Sequence, residues 1–528
     1  MNRVFVVFTF IILLCFSYSC DNKVVTREIK DMSDTEYVYI DGGAFKLKNE
    51  KYFPLMLNYI LSYRNINDEF IVSPHIDYEE VGVYESNTKE DIQEQLRAHF
   101  QLIREMGFNS VRLCFDRVSV EEDRIYYGAD GKKYFIDSDY AVVLNGLESV
   151  IDIAEEKDLR VMLLIKSPVE NKDLENFSVR ILEKFSSNPV IFSYDFMNEP
   201  LYFDTNPNRA KKEACGIVTR WMEMVNGYAP NQLFTIGFSE PIEVFEWDPE
   251  LLPVDFIAFH TYHPLRVKNE VYWYSTYVNK PWMIGETSLP AENDSVPYED
   301  QAMFMKDLYE YVVDCGGAGF GWWDFQEGVW GNFEAKYTGM LNHEGTTTTS
   351  DGKYTVIGTV KPVAEVIPGL LNYKPKAKEI PVNYFNMMGY DNIVIKGRIL
   401  DKKTKEPVGG AVIRGWNEWW TVGLNTFTNG NGEFTIYSND ECVHFAISAP
   451  GMETVTFNKN LKYRKIVEGS YDMKDLPDKK LEYHSISYVP FLNEGYVSVF
   501  DFDAGKFGNA KFEGDLGIIY LSQEKGCY

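Results

Sequence analysis

Glu199 and Glu286 each stand where an apolar, β-type run stops: the first follows Phe192 to Asn198 and is locked by Pro200, the second closes Pro281 to Gly285. A carboxylic acid that protonates a departing oxygen and a carboxylate that attacks or stabilises an anomeric carbon are the two groups that glycosidic bond cleavage requires. Asn198, next to the first glutamate, adds an amide able to hydrogen-bond a sugar hydroxyl. This chemistry is available only if two segments far apart in sequence deliver their ends to one place.

The elements that must do so are legible as short apolar runs alternating with amphipathic stretches. Strand candidates are residues 52–58, 110–116, 160–166, 191–197, 233–238, 256–260, 282–286 and 319–324, with helical patterns between most of them, such as 89–106 and 142–157. Eight such units make an α/β protein of the (β/α)8 barrel type, spanning 38–378, whose strand ends carry the chemistry. Glu199 then ends the fourth strand and Glu286 the seventh, facing each other across the barrel mouth. Carboxyl groups about 5 Å apart give a retaining double displacement, with Glu286 as nucleophile and Glu199 as acid and then base. The last barrel helix is expected over Val356 to Leu371, and the threonine-rich stretch from Leu341 to Gly352 as a solvated loop.

Further residues take roles around this pair. Arg112 lies in the apolar run from Val111 to Leu113, where a buried guanidinium is costly without a partner. With Arg112 on the second strand, Asn198-Glu199-Pro200 on the fourth, His260 and Tyr262 on the sixth, Glu286 on the seventh and Trp322-Trp323 on the eighth, the chain resembles a clan A glycoside hydrolase, most like the family 5 cellulase and mannanase group, over about residues 38–375. The resemblance implies that Arg112 orients the nucleophile and keeps it charged, that Tyr262 hydrogen-bonds Glu286 and that His260 lines the reactive sugar subsite. Trp323 would form the floor of that subsite, with Trp322 turned into the barrel wall. Asn58, Glu327 and Trp330 are further subsite candidates, and the insertion from Leu61 to Thr88 either builds subsites or walls one end of the groove. No cofactor is implied, and His260 and His263 with Tyr262 do not complete a metal site.

A formal charge of −27 and a pI near 4.8 exclude nucleic acid and anionic membrane surfaces as partners and suit a neutral polysaccharide or oligosaccharide. Residues 1–20 read as an export signal: Arg3, an apolar run from Val4 to Phe16, then Cys20. The segment resembles a bacterial lipoprotein signal with Cys20 as the lipidated residue, a plain secretory peptide being the other reading. Residues 21–37 are then a tether, and the expected location is outside the cytoplasm, on the outer membrane, with the lipid at Cys20 as the only membrane contact. The other cysteines are widely and irregularly spaced, and no disulfide framework is expected. Residues 390–475 have strand-like period-two runs and resemble a carboxypeptidase regulatory-like β-sandwich; residues 476–528 form a β-rich tail. The leading expectation is thus an exported retaining β-glycanase, endo-type, acting on β-glucan or β-mannan. An inactive glycan-binding surface protein on the same barrel is the alternative.

Overall fold

The computed structural model describes residues 35–66, 69–75, 78, 88–115, 125–127, 133–135, 140–165, 172–204, 206, 209–329, 331, 333–381, 392–418, 423–438, 440–465, 487–491, 495–499 and 511–524. The expected export signal with Cys20, and the tether up to residue 34, lie outside them. Among the described residues no helix is long and apolar enough to cross a membrane.

Eight parallel strands close a barrel: β1 (Leu55–Ile66), β2 (Ser110–Phe115), β3 (Arg160–Leu164), β4 (Ile191–Asn198), β5 (Leu233–Phe238), β6 (Ile257–His260), β7 (Trp282–Glu286) and β8 (Phe320–Trp322), with β8 pairing back onto β1. The strands are buried on both faces, which is why they read as continuous apolar runs rather than as alternating ones. Their helices pack outside: α1 (Lys89–Glu105), α2 (Ala141–Glu156), α3 (Lys172–Phe185), α4 (Lys211–Tyr228), α5 (Val267–Tyr277) and α6 (Tyr298–Asp314). Helix α1 starts on a capping box in which Thr88 and Asp91 satisfy each other's backbone N–H groups. The end of the barrel opposite the strand exits is plugged by a three-stranded meander over residues 39–51, whose buried Phe45 meets Phe192 and Phe256 edge-on at 6.3 and 5.0 Å.

Two expectations change after the strands. The insertion following β1 is partly a hairpin, because β1 runs on to Ile66 and pairs antiparallel with Glu69–Pro74. Its Tyr78 is buried among Tyr59, His99 and Phe325 rather than lining a groove. The expected last helix is also replaced. Thr355–Ile357 pairs with Thr346–Thr348 as a two-stranded ribbon, and only a 3-10 turn (Pro362–Val366) and one short helix (Ile367–Leu370) follow. Consecutive β-branched threonines favour that extended pairing, and Ser350 fastens the ribbon tip to Glu105 at the end of α1, away from the strand exits.

The C-terminal region consists of two four-stranded sheets over one core. The first has the order β12 (Glu433–Ser438), β9 (Ile393–Asp401), β16 (Phe512–Leu521), β15 (Tyr463–Lys465); the second β11 (Gly423–Phe427), β10 (Val412–Trp416), β13 (His444–Ser448), β14 (Val455–Asn458). Ile395, Ile413, Phe434, Ile436, Phe445 and Ile447 fill the space between them. Strand β16 comes from the β-rich tail, to which the sequence assigns no role, and it pairs in parallel along the whole of β9, so this stretch adds a strand to the sandwich.

This region sits against the barrel. Lys211, at the start of α4, reaches Asp248 at 2.7 Å and the carbonyls of Ala449 and Met452 at 3.3 and 2.5 Å. Trp273 of α5 donates its indole N–H to the carbonyl of Gly410 at 2.8 Å. Among the described residues Cys114, Cys315 and Cys442 stand outside any disulfide, whereas Cys215 is disulfide-bonded, a bond the irregular cysteine spacing did not indicate.

Candidate active site

The centre of the barrel mouth is a buried guanidinium with every edge occupied. Arg112, fully buried on β2, donates from Nε to Asp195 Oδ2 at 2.9 Å, from Nη1 to Asn58 Oδ1 at 3.0 Å and to Glu286 Oε1, and from Nη2 to Asn198 Oδ1 at 2.8 Å. A rigid planar fork can serve four acceptors on three strands at once, which a lysine could not. Asn58 in turn donates to the carbonyls of Gly285 and Trp322 at 3.0 and 2.9 Å, fixing the backbone before Glu286 and before Trp323. Asn58 is therefore a buried brace rather than the subsite residue expected.

Glu286 receives Arg112 on one oxygen and the Tyr262 hydroxyl, at 2.5 Å, on the other. Burial pushes this carboxyl up, but the positive fields of His260 and Arg112, with the hydrogen bonds from Tyr262 and Arg112, outweigh it and hold Glu286 below the ordinary carboxylate range. Tyr262 is about a third exposed (36%) as a residue, with its hydroxyl turned inward onto Glu286.

Glu199 is held differently. It follows β4 in the left-handed region, φ 43° and ψ 73°, a conformation unfavourable for a residue with a side chain, and Pro200 starts the short helix Pro200–Phe203 directly after it. Its N–H is tied to the Gly237 carbonyl at 2.6 Å. The side chain, 15% exposed, meets His260 Nδ1 at 2.8 Å, while that nitrogen also lies 3.5 Å from Glu286 Oε2. The imidazole needs two glycines: a Cβ on Gly237 or on Gly285 would stand 3.0 Å from it.

One polar atom each from Glu199, His260 and Glu286 lie within 4.8 Å of one another. Such a donor set could in form take a cation. Here, however, Glu286 already carries the Arg112 guanidinium, whose charge opposes a second positive ion at the same carboxylate. The arrangement instead distinguishes two carboxyls: one charged and clamped, the other strained, next to an imidazole and facing the opening.

That opening is a cleft of about 640 Å³, into which Asn198, Glu199, His260, Tyr262, Glu286 and Trp323 all project. Trp322 is fully buried, its indole N–H on the Thr338 carbonyl at 3.1 Å. Arg112 contributes from behind the cleft wall. Glu327 is buried against Lys361 at 2.5 Å and belongs to the fold rather than to a subsite. Trp330 and Cys20 lie outside the described residues.

Sequence reasoning missed the supporting shell. Asp195 pairs with Arg112 from within the same strand that delivers Glu199, and a carboxylate inside an apolar run carried the same signal as Arg112 itself. Glu243, in the 3-10 turn Pro241–Phe245 after β5, accepts from the backbone N–H groups of Leu201 at 2.9 Å and Ser239 at 2.7 Å, joining the exits of β4 and β5. Burial pushes its carboxyl up to about 8. Asp324, after β8, accepts from Tyr78 at 3.1 Å and is likewise pushed up by burial to about 8.

Residues 75–327, just under half of the chain, match the sequence model of the cellulases, glycosyl hydrolase family 5. No curated protein matches. Among solved structures, GH5_18 from Streptomyces cattleya, in complex with GlcNAc, is 15% identical, with 59% of this chain and 80% of that one covered at a TM-score of 0.41. The endo-1,4-beta-mannanase of Rhizomucor miehei is 14% identical over 55% of this chain and 90% of its own, TM-score 0.38. The beta-1,4-mannanase of the sea hare Aplysia kurodai is 14% identical over 54% and 92%, TM-score 0.37.

Proposed function

From a barrel in which residues 75–327 match the cellulases of glycosyl hydrolase family 5, we propose a clan A glycoside hydrolase that cleaves β-glycosidic bonds inside a neutral polysaccharide with retention. Glu286 attacks the anomeric carbon while Glu199 protonates the departing oxygen, giving a covalent glycosyl-enzyme; Glu199 then takes a proton from water, which releases the sugar with its original configuration. The observation that carries this reading is the spacing within 4.8 Å of one atom each from Glu199, His260 and Glu286, too close for a water between the carboxyls and the sugar ring, as inversion would need. The asymmetry of the pair supports the roles. Arg112 and Tyr262 keep Glu286 ionised for attack, and His260 Nδ1 lies between the two carboxyls, 2.8 Å from Glu199 and 3.5 Å from Glu286.

Trp323 supplies an apolar face to the reactive sugar and Asn198 an amide to its hydroxyls. The substrate class proposed is β-1,4-glucan or β-mannan. The export signal remains part of the proposal, since a polysaccharide is met outside the cell, and the sandwich is proposed as a carboxypeptidase regulatory-like module.

The test is release of sugars from cellulose derivatives, mannans, xyloglucan, xylan and galactans by wild type and by Glu286→Gln. Release by wild type alone, with the initial product retaining its anomeric configuration by NMR, is the expected outcome. Glu286→Ala should be inactive and recover turnover with azide, as an α-glycosyl azide, because a small anion occupies the vacated position. Binding to a glycan without release from any of the panel would overturn the catalytic reading in favour of a binding protein.

A further inference from the structure

A second cavity, about 180 Å³, lies where the sandwich meets the barrel. Glu240 and Arg266 line both it and the catalytic cleft, so the two spaces adjoin at this pair of side chains. The pair is fixed in place, since Arg266 grips Glu240 through two parallel hydrogen bonds of 2.8 and 2.9 Å. Beyond it the barrel contributes Asn269 of α5, and the sandwich contributes Asn425, Thr426 and Phe427 of β11. Phe427 is set in place by Tyr272, the rings 6.5 Å apart and 15° from parallel, and by Tyr277 at 6.1 Å.

We propose that this cavity is a distal subsite, holding one sugar of the glycan chain on its leaving-group side. Amides, a hydroxyl, an ion pair and one aromatic ring, with Pro241, Ile242, Pro381 and Val412 among them, make a mixed polar and apolar lining around a space of this size, which suits a neutral sugar ring with a hydroxylated edge and an apolar face. Its position gives the direction. Glu199 is the proton donor in the proposed mechanism, so the departing part of the chain leaves past the exits of β4, β5 and β6. Tyr202 and Phe203 stand 59% and 62% exposed along that path, and Glu240 and Arg266 follow β5 and β6. A sandwich strand thereby becomes part of the substrate groove. The inference rests on the proposed hydrolase reading for which end of the chain it holds.

The experiment compares kcat/KM of the full chain and of its Thr426→Trp and Asn425→Ser variants on cello- and manno-oligosaccharides of increasing length. The advantage of wild type over Thr426→Trp, which fills the space, should grow with length to about tenfold on chains that reach the cavity, the loss of one or two neutral hydrogen bonds. Asn425→Ser should show the same trend more weakly. An advantage equal at every length would overturn the subsite. Should wild type cleave none of these sugars, the hydrolase reading fails instead; calorimetric binding of the longest oligosaccharides then reads the cavity alone, and equal affinity of wild type and Thr426→Trp refutes it.

Discussion

Arg112 and Tyr262 together set the charge state of one carboxylate, so their removal should show in a pH profile before it shows in stability. Tyr262→Phe deletes a hydrogen bond to the ionised form of Glu286, which raises that carboxyl toward its ordinary value. The acid limb of kcat/KM should therefore move to higher pH, with activity at neutral pH reduced roughly tenfold or more. An unmoved limb would show that the hydroxyl does not tune Glu286. Arg112→Lys keeps the charge but cannot reach Asp195, Asn58, Asn198 and Glu286 together; a loss of about a hundredfold in kcat is expected from misplacement alone, with KM much less affected. At this scale the sequence was read best where a charged residue interrupted an apolar run and the resemblance supplied its role. Asp195 shared the signal and lacked the role, because the stretch around it already ended in the more conspicuous Glu199. Asn58 shows the converse: an amide at a strand end fits a subsite equally well until its donors are seen to be spent on two backbone carbonyls.

Strand exits are joined to one another by side chains that never face the cleft. Glu243 holds the N–H groups of Leu201 and Ser239 and so supports the backward-bent Glu199 between them. Its folded-state value near 8 is raised above that of an ordinary glutamate, so the native protein binds this proton more tightly than the unfolded chain. The stability it contributes is fully present below the ordinary glutamate range and is lost as pH rises through about 8. Glu243→Gln, which cannot titrate, should show its largest deficit in Tm in acid and a shrinking one toward pH 8, measured by thermal unfolding across that window. A deficit independent of pH would contradict the assignment. Strand positions were legible because double-sided burial makes parallel strands uniformly apolar. The ribbon of Thr346–Thr348 and Thr355–Ile357 was not, since its threonines are as common in solvated loops as in paired strands, and its partner lies across a turn with no apolar pattern.

Across the whole molecule the sandwich behaves as an extension of the barrel. Lys211, 5% exposed, neutralises Asp248 and caps two sandwich carbonyls, and burial lowers its own ammonium value despite the carboxylate beside it. Lys211→Ala would strand Asp248 as a buried carboxylate, costing about 3–5 kcal/mol in denaturant unfolding. Barrel and sandwich should melt together in wild type and separately in this variant. The change from barrel to β-rich region was visible in the switch from long amphipathic periods to period-two runs, whereas the seam was not, because its contacts join residues more than two hundred positions apart. A shorter span hides β9 and β16 in the same way, parallel neighbours with all the other described sandwich strands between them in the chain. Loop closure over such a span must precede any reward from pairing. The barrel can therefore complete its ring while β9 still presents an open hydrogen-bonding edge, so that the sandwich, rather than the catalytic half, sets the interval during which the nascent molecule is exposed to self-association.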